Sequence, residues 1–227
     1  MVRALMLVEN RSRSPRLVSS WGLSIWIEVK GKRILFDVGP DYPTLAYNAR
    51  ELGVDLSTVN AIFISHWHSD HSGALIPLLN NLPKPVPVYT PSYRGVPSEV
   101  VCRRGHSIAD IGLSTGPLGY GALEHSLVIP LDHESIAVFV GCSHPGIDEI
   151  LSVALDITKA SRISLVMGGL HIGRFEAEYV AKTFKAFRVE RVVPAHCTSD
   201  DAIEYLVQEL KGEIEVIEPY VGLRIEV

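Results

Sequence analysis

Three histidines and an aspartate are crowded into the stretch FISHWHSDHSGAL, residues 63–75. They are His66, His68, Asp70 and His71, between the apolar run AIFIS and the helical pattern GALIPLLNNL. Imidazole nitrogens with a carboxylate suit Zn²⁺ and, with more oxygen ligands, Fe or Mn. In one tight strand-to-helix loop, side chains two positions apart can bind one ion while the next pair faces a second. The alternative is a helix start with Asp70 as N-cap, but the histidine density favours metal.

One loop cannot complete two coordination spheres, so the metal hypothesis predicts further ligands at other strand ends. Three stretches follow apolar strand-like runs: VFVGCSHPG with Cys142 and His144, LVMGGLHIG with His171, and VVPAHCT with His196. One such histidine is more often structural, but three at equivalent positions favour a shared site. His106, His125 and His133 lack this context, and we expect them at the surface or in a cap segment.

Asp37, in ILFDVG, also ends a strand-like run and is followed by Gly39. Its side chain could form the turn, or its carboxylate could accept a hydrogen bond from a ligand or loop donor and fix its orientation. Together with Asp70 and His171, Asp37 makes up the predicted catalytic set. His171 would donate to a substrate oxygen or the leaving group, or pack beside the metal ligands.

The charge balance argues against a nucleic-acid partner, because acidic residues outnumber basic ones and the net charge is −5. An anionic substrate must then be held locally, by a metal or by a few arginines. The candidates for phosphate binding are Arg94, Arg103, Arg104 and Arg174. The alternative is that these four are solvated surface side chains.

The sequence predicts a cytoplasmic protein with no membrane partner. No segment approaches the roughly 20 apolar residues of a membrane span, and the N-terminal apolar run is too short for a signal-peptide core. Cys102, Cys142 and Cys197 are odd in number and scattered, which argues against a disulfide framework.

Short β-branched runs and helical patterns alternate along the chain. The strand-like runs are ALMLVE, LSIWIEV, RILFDVG, AIFIS, VPVYT, SLVIPL, SIAVFVG, ISLVMGG, RVVPA, IEVI and GLRIEV, and helical periodicity covers 42–52, 73–80, 147–157, 176–187 and 200–210. Two sheets packed face to face with helices outside fit this order, although a doubly wound α/β fold gives a similar count. Residues 91–124 lack a clean period, and we predict a cap or substrate loop there, within a single domain 1–227.

The loop SHWHSDHSGAL resembles the HxHxDH signature of the metallo-β-lactamase superfamily, and ILFDVG and PAHCT fall where its first and last motifs fall. GLSIWIE, NARELGVDLS, GCSHPGI, GGLHIG and PAHCTSDDA resemble a mostly archaeal and bacterial branch that includes the dihydropteroate synthase-like enzymes of methanopterin biosynthesis. This resemblance covers nearly the whole chain. It implies a four-layer αββα sandwich, of the α/β (α+β) class, with the metal site at one edge of the sheets.

The resemblance also implies a ligand set for two divalent ions, with zinc expected first and manganese or iron as alternatives. His66 and His68 would bind one ion, Asp70, His71 and His196 the other, and His144 would be the sixth ligand. Many members carry a metal-bridging aspartate where this chain reads VFVGCSHPG, so Cys142 stands nearest the missing acid. We therefore expect the second ion to bind more weakly.

Three functions are compatible with this site. The first is metal-dependent hydrolysis of a small-molecule phosphate ester or phosphodiester by a metal-activated water. The second, implied by the resemblance, is condensation of a pterin methyl diphosphate with an arylamine. The third is a metal-binding regulator without chemistry, which the retention of nearly every expected ligand argues against. The apolar surface of the cap loop could also be shared across a homodimer.

Overall fold

Alternating side chains on the strands predict a sheet that is covered on both faces. In the strand Ser24–Val29, Ile25 and Ile27 join the core between the two sheets, whereas Trp26 packs in the core on the outer face. Because successive strand residues point to opposite faces, apolar residues at both require a packed layer on each side. The computed structural model describes all residues 1–227 and shows this arrangement for both of its sheets.

Fourteen strands form two seven-stranded sheets. In chain order they are β1 (Val2–Val8), β2 (Ser24–Val29), β3 (Lys32–Phe36), β4 (Ala61–Phe63), β5 (Val88–Thr90), β6 (Glu99–Val101), β7 (Ser107–Ile108), β8 (Gly112–Ser114), β9 (Leu127–Pro130), β10 (Ser135–Val140), β11 (Arg162–Gly169), β12 (Arg191–Ala195), β13 (Glu215–Val216) and β14 (Arg224–Glu226). The first sheet has the order β14-β1-β2-β3-β4-β5-β6, and the second has the order β13-β12-β11-β10-β9-β8-β7.

Six α-helices cover the outer faces of the sheets or connect their strands. They are α1 (Tyr42–Glu51), α2 (Ser69–Ser72), α3 (Leu75–Asn81), α4 (Ile147–Thr158), α5 (Ala177–Ala186) and α6 (Asp200–Glu209). Helices α1 and α3 pack on the first sheet, and α4, α5 and α6 pack on the second. The predicted αββα sandwich is therefore confirmed. None of the helices combines the length and apolarity needed to cross a bilayer.

Residues 91–124 are more regular than the sequence predicts. The segment contributes β6 to the edge of the first sheet and β7 and β8 to the edge of the second, so it carries the chain from one sheet to the other. These strands have two or three residues each and, unlike the equally short β4 and β5, none is a fully buried, largely apolar run, so they show no hydrophobic pattern. His106, within this segment, is half-buried, whereas His133 is exposed.

His125 lies in the interior, contrary to the expectation of a surface or cap position. It is fully buried, and its ring stacks on Phe63 with 4.0 Å between centroids. Its Nε2 donates to the carbonyl oxygen of Ile64 at 2.8 Å, and its Nδ1 lies 2.8 Å from the hydroxyl of Ser114. Both ring nitrogens therefore have partners, so this histidine joins the two sheets at the end of β4 and does not face solvent.

The burial of His125 predicts a pH-dependent stability. Burial lowers the pKa of His125 to about 3, whereas in the unfolded chain it titrates near 6.5. Between these pH values His125 binds a proton in the unfolded state but not in the folded state. The contribution of the neutral, buried His125 to the free energy of unfolding is therefore complete above pH 6.5 and is lost as the pH falls. His125→Gln keeps a donor for the carbonyl oxygen of Ile64 but does not titrate. When the pH falls from 7 to 5, the free energy of unfolding of the metal-free variant should therefore decrease by about 2 kcal/mol less than that of metal-free wild type. Urea unfolding at both pH values measures the difference.

The exposed His133 provides the matched control for this prediction. The variant His133→Gln should show the same pH dependence of unfolding as wild type, because this exposed side chain is solvated in both the folded and the unfolded protein. If His125→Gln and wild type lose equal stability over this range, His125 is not held neutral by the fold.

Candidate metal centre

The predicted ligands converge because parallel strands end at the same edge of each sheet. Strands β3, β4 and β5 run parallel in the first sheet, and β10, β11 and β12 run parallel in the second. Four residues just after these strands have left-handed backbones: Asp37 (φ 52°), Ser143 (φ 59°), His171 (φ 52°) and His196 (φ 49°). Such conformations are uncommon outside glycine and cluster at functional sites.

The first group of donor atoms consists of His66, His68 and His144, whose ligand atoms all lie within 4.8 Å of one another. Nε2 of His66 is 3.1 Å from Nδ1 of His68. The ring of His144 stands edge-on to these two rings, with centroids 4.7 and 4.9 Å away. A tetrahedral zinc ion separates its nitrogen ligands by about 3.3 Å. This group therefore fits one cation.

The second group consists of Asp70, His71 and His196. Oδ2 of Asp70 lies 3.1 Å from Nε2 of His196 and 3.8 Å from Nε2 of His71. Burial acts to raise the pKa of Asp70, but the hydrogen bond with His196 and the interaction with His71 outweigh it and hold that pKa well below its usual value. The indole N–H of Trp21 donates to the same oxygen at 3.0 Å. An ionised carboxylate and two imidazoles thus face a second position.

Four of these histidines have Nδ1 held by a polar neighbour, so Nε2 is the ring nitrogen that can bind a cation. The pairs are His66 with Oγ of Ser65 at 3.0 Å, His71 with Asp37 at 2.7 Å, His144 with Glu124 at 2.7 Å and His196 with Oδ1 of Asn10 at 3.2 Å. Metal-binding histidines usually donate their other ring N–H in this way. Burial lowers the pKa of His66 and of His71 to about 3, so both rings are neutral, as a ligand must be.

Asp37 orients the histidine loop from behind. Its carboxylate accepts from the backbone N–H and the hydroxyl of Ser65, both at 2.7 Å, and from Nδ1 of His71 at 2.7 Å. Burial raises its pKa to about 7 although these hydrogen bonds oppose the shift. Because Asp37 is fully buried behind His71, we place it as a positioning residue and not in the catalytic role that the sequence analysis gave it.

The sequence analysis missed Glu124, which organises the turn after β10. Its Oε1 accepts from the backbone N–H groups of Gly141, Cys142 and Ser143 at 3.1, 2.9 and 2.9 Å. Its Oε2 accepts from the backbone N–H and Nδ1 of His144 at 3.1 and 2.7 Å. Burial acts to raise the pKa of Glu124, but the His144 hydrogen bond and the other interactions lower it to about 2. This carboxylate therefore fixes both the turn and the His144 ring.

Glu9 has the corresponding role at His196 and was also missed. Its Oε1 accepts from the backbone N–H of His196 at 2.9 Å and from Arg11 at 3.0 Å. The side chain amide of Asn10 donates to the carbonyl oxygen of His196 at 2.8 Å. Glu9 is fully buried directly after β1. A carboxylate that ends a buried strand, as in ILFDVG, was the available signal in ALMLVE.

His171 and Arg94 lie beside the two donor groups. His171 is exposed, and its ring centroid is 4.9 Å from that of His144. Arg94 lines a cavity of about 360 Å³ together with Trp67 and His68, and its guanidinium lies 5.9 Å from the Trp67 ring centroid. His171 therefore adjoins His144, and Arg94 shares a cavity with His68, both members of the first group.

The other predicted phosphate-binding arginines are placed differently. Arg174 stacks over the ring of Tyr205 at 3.8 Å, so its guanidinium already has a partner. Arg103 and Arg104 are exposed in the turn between β6 and β7. Neither forms an ion pair with a residue of the two donor groups, whereas Arg94 lines a cavity together with His68 of the first group.

Comparison with known proteins agrees with this geometry. The model of the metallo-beta-lactamase superfamily matches residues 22–196. The chain belongs to the metallo-beta-lactamase superfamily. Five of the six predicted ligands lie inside this matched range, and His196 is its last residue. The predicted family is therefore confirmed.

Individual members of the metallo-beta-lactamase superfamily are more distant. A 7,8-dihydropterin-6-methyl-4-(beta-D-ribofuranosyl)-aminobenzene-5'-phosphate synthase of Methanocaldococcus jannaschii is 24% identical over 87% of each chain. A structure described as a metal-dependent hydrolase of the beta-lactamase superfamily has a TM-score of 0.79 and 24% identity, over 100% of this chain and 99% of its own. A diphosphatase of the PhnP family has a TM-score of 0.64 and 12% identity, over 100% and 98%. These structural likenesses establish the fold.

Proposed function

We propose that this metallo-beta-lactamase superfamily protein is a metal-dependent hydrolase of a small-molecule phosphate ester or phosphodiester. The observation that carries the proposal is the pair of adjacent donor groups, one with His66, His68 and His144 and the other with Asp70, His71 and His196. Four of the imidazoles have a fixed orientation, and the carboxylate is ionised. Such a donor set fits two divalent cations.

Two divalent cations bound here would supply Lewis acidity, lowering the pKa of a water and neutralising charge on phosphate oxygens. We infer zinc first, because five of the six donors are imidazoles, with manganese or iron as alternatives. Asp70, through its low pKa, keeps a negative charge at the centre over the whole neutral pH range.

The neighbouring side chains would bind and orient the substrate. Desolvation of the part of its ring that packs against the site, with His144 nearby, lowers the pKa of His171, so at neutral pH its imidazole is uncharged and can donate one N–H to a substrate oxygen. Arg94 would pair with the phosphate in the cavity beside His68. Hydrolysis at this centre would therefore require no co-substrate other than water.

Metal removal tests this function. The protein is treated with a chelator, dialysed and assayed with p-nitrophenyl phosphate and bis(p-nitrophenyl) phosphate, then reloaded with Zn²⁺ or Mn²⁺. We expect turnover to vanish with the metal and to return with about two ions per chain in elemental analysis. Turnover that survives complete removal of metal would defeat the proposal, and so would a loaded protein inactive on every phosphoester offered.

The similarity to the archaeal synthase favours one other reaction at the same centre. In that reaction an arylamine nitrogen would form a bond to the pterin methyl carbon as the carbon–oxygen bond to diphosphate breaks, and the amine proton would leave to solvent. Bound cations would supply positive charge beside the departing diphosphate. Incubation of the loaded protein with the pterin diphosphate, with and without the arylamine, separates the two functions. A coupled product indicates the synthase, whereas phosphate release without coupling indicates the hydrolase.

We place either reaction in the cytoplasm, with small molecules as substrates. The three cysteines are unpaired, and the chain has a net charge of −5, which disfavours a nucleic-acid partner. The homodimer suggested by the segment 91–124 stays a prediction, which sedimentation of the purified protein would check.

A further inference from the structure

We propose that Cys142 is a metal ligand shared by both cation positions, with its thiolate bridging the two donor groups. The inference rests on the proposed function, because it needs cations at both positions. It concerns a side chain that neither donor group includes, at the end of β10.

The sulfur of Cys142 lies between the two groups. It is 3.2 Å from Nε2 of His71. Its Sγ also lies within 4.8 Å of the ligand atoms of His66, His144 and His196, in three separate clusters. His66 and His144 belong to the first group, whereas His71 and His196 belong to the second, so a cation at either position would have this sulfur within reach.

The backbone of β10 holds the thiol in this position. A Cβ at Gly141 would meet Oγ of Ser65 at 2.2 Å and Nδ1 of His66 at 3.0 Å, so only glycine lets the strand end approach the histidine loop this closely. The next N–H, that of Cys142, donates to Glu124 at 2.9 Å. Cys142 is 3% exposed. The thiol is therefore fixed among polar ligands, and no apolar core explains its burial there.

The imidazole facing the thiol is an acceptor. The Nδ1–H of His71 donates to Asp37, so Nε2 of the neutral ring carries a lone pair that points toward Sγ of Cys142. Without a cation, the S–H donates to this nitrogen. When cations bind, the S–H bond breaks, sulfur–metal bonds form and the proton leaves to solvent, with no change in oxidation state.

Cys197 is the natural control for this assignment. It is also near the centre, with its sulfur 3.8 Å from the carbonyl oxygen of Cys142, but it clusters with His196 and with none of the ligands in the first group. A sulfur in this place can bind a cation at one of the two positions at most. Replacing Cys197 therefore tests whether a sulfur that is merely near the centre has the same effect as a bridging one. Cys102, in the core between the sheets, is a control remote from the ligands.

Cobalt titration of the whole protein tests the proposal through a signal that does not depend on turnover. Co²⁺ bound to a thiolate gives a sulfur-to-metal charge-transfer band in the near ultraviolet. We expect wild type to bind two Co²⁺ ions with this band and Cys142→Ser to lack it, with the second ion bound at least about 10-fold more weakly. Cys197→Ser and Cys102→Ser should keep the band, and each added Co²⁺ should release fewer protons in Cys142→Ser.

A second variant separates bridging from misfolding. Cys142→Asp supplies a carboxylate at the same place, so it should bind two Co²⁺ ions without the band, while its far-ultraviolet circular dichroism matches wild type. Two ions without the band in wild type, or a band that persists in Cys142→Ser, overturns the bridging role and leaves the proposed function standing. Absence of any bound Co²⁺ in wild type overturns both.

Discussion

Replacing His68 with alanine should lower metal-dependent turnover about 1000-fold, because loss of a cation removes several kcal/mol of transition-state stabilisation. The side chain of His68 is exposed, and its hydrogen-bonding partner is His66 in the same group. The free energy of unfolding of the metal-free protein should therefore change by less than about 0.5 kcal/mol. Phosphoesterase assays with loaded protein and urea unfolding without metal measure the two effects separately.

The matched control for this variant is His133→Ala, since His133 is also an exposed histidine and lies in the turn before β10. Its turnover and its metal content should equal those of wild type. A His68→Ala protein that retains full activity with two bound ions would remove His68 from the ligand set. Lost activity together with an unfolded metal-free protein would show a structural role instead.

Replacing Glu124 with glutamine should lower the free energy of unfolding of the metal-free protein by about 3 kcal/mol. The carboxylate accepts five hydrogen bonds, and an amide at this position would turn its NH₂ toward donors, either those of His144 or those of the turn before it. The melting temperature should fall by roughly 6 to 12 °C. Metal affinity should fall by about 10- to 100-fold, because the His144 ring loses the partner that fixes its tautomer.

Glu134→Gln is the control for this second prediction. Glu134 is exposed in the turn between β9 and β10, so its replacement should change stability by less than about 0.5 kcal/mol. Scanning calorimetry and metal titration compare the two variants. An unchanged melting temperature and metal affinity in Glu124→Gln would show that the turn after β10 is held by other contacts.

The strands and helices were largely predictable because their periods differ. The runs RILFDVG and SIAVFVG became β3 and β10, and the patterns at 147–157 and 200–210 became α4 and α6. Local propensity and burial agree in these segments, so a single sequence is informative. The strands β6, β7 and β8 were not predicted, because none of them is a fully buried, largely apolar run like the equally short β4 and β5, and pairing with neighbouring strands defines them.

The sequence by itself determined the histidine loop at 66–71, since ligands two residues apart in one turn need no distant contact to be recognised. It also indicated His144, His171 and His196, each after an apolar run. Only the tertiary structure decided how their rings are oriented, through Glu124 and Glu9, and it buried His125. Glu9 contacts His196 across 187 positions and Glu124 contacts His144 across 20. Because such hydrogen bonds join residues brought together by sheet packing, no periodicity or local spacing in the chain encodes them.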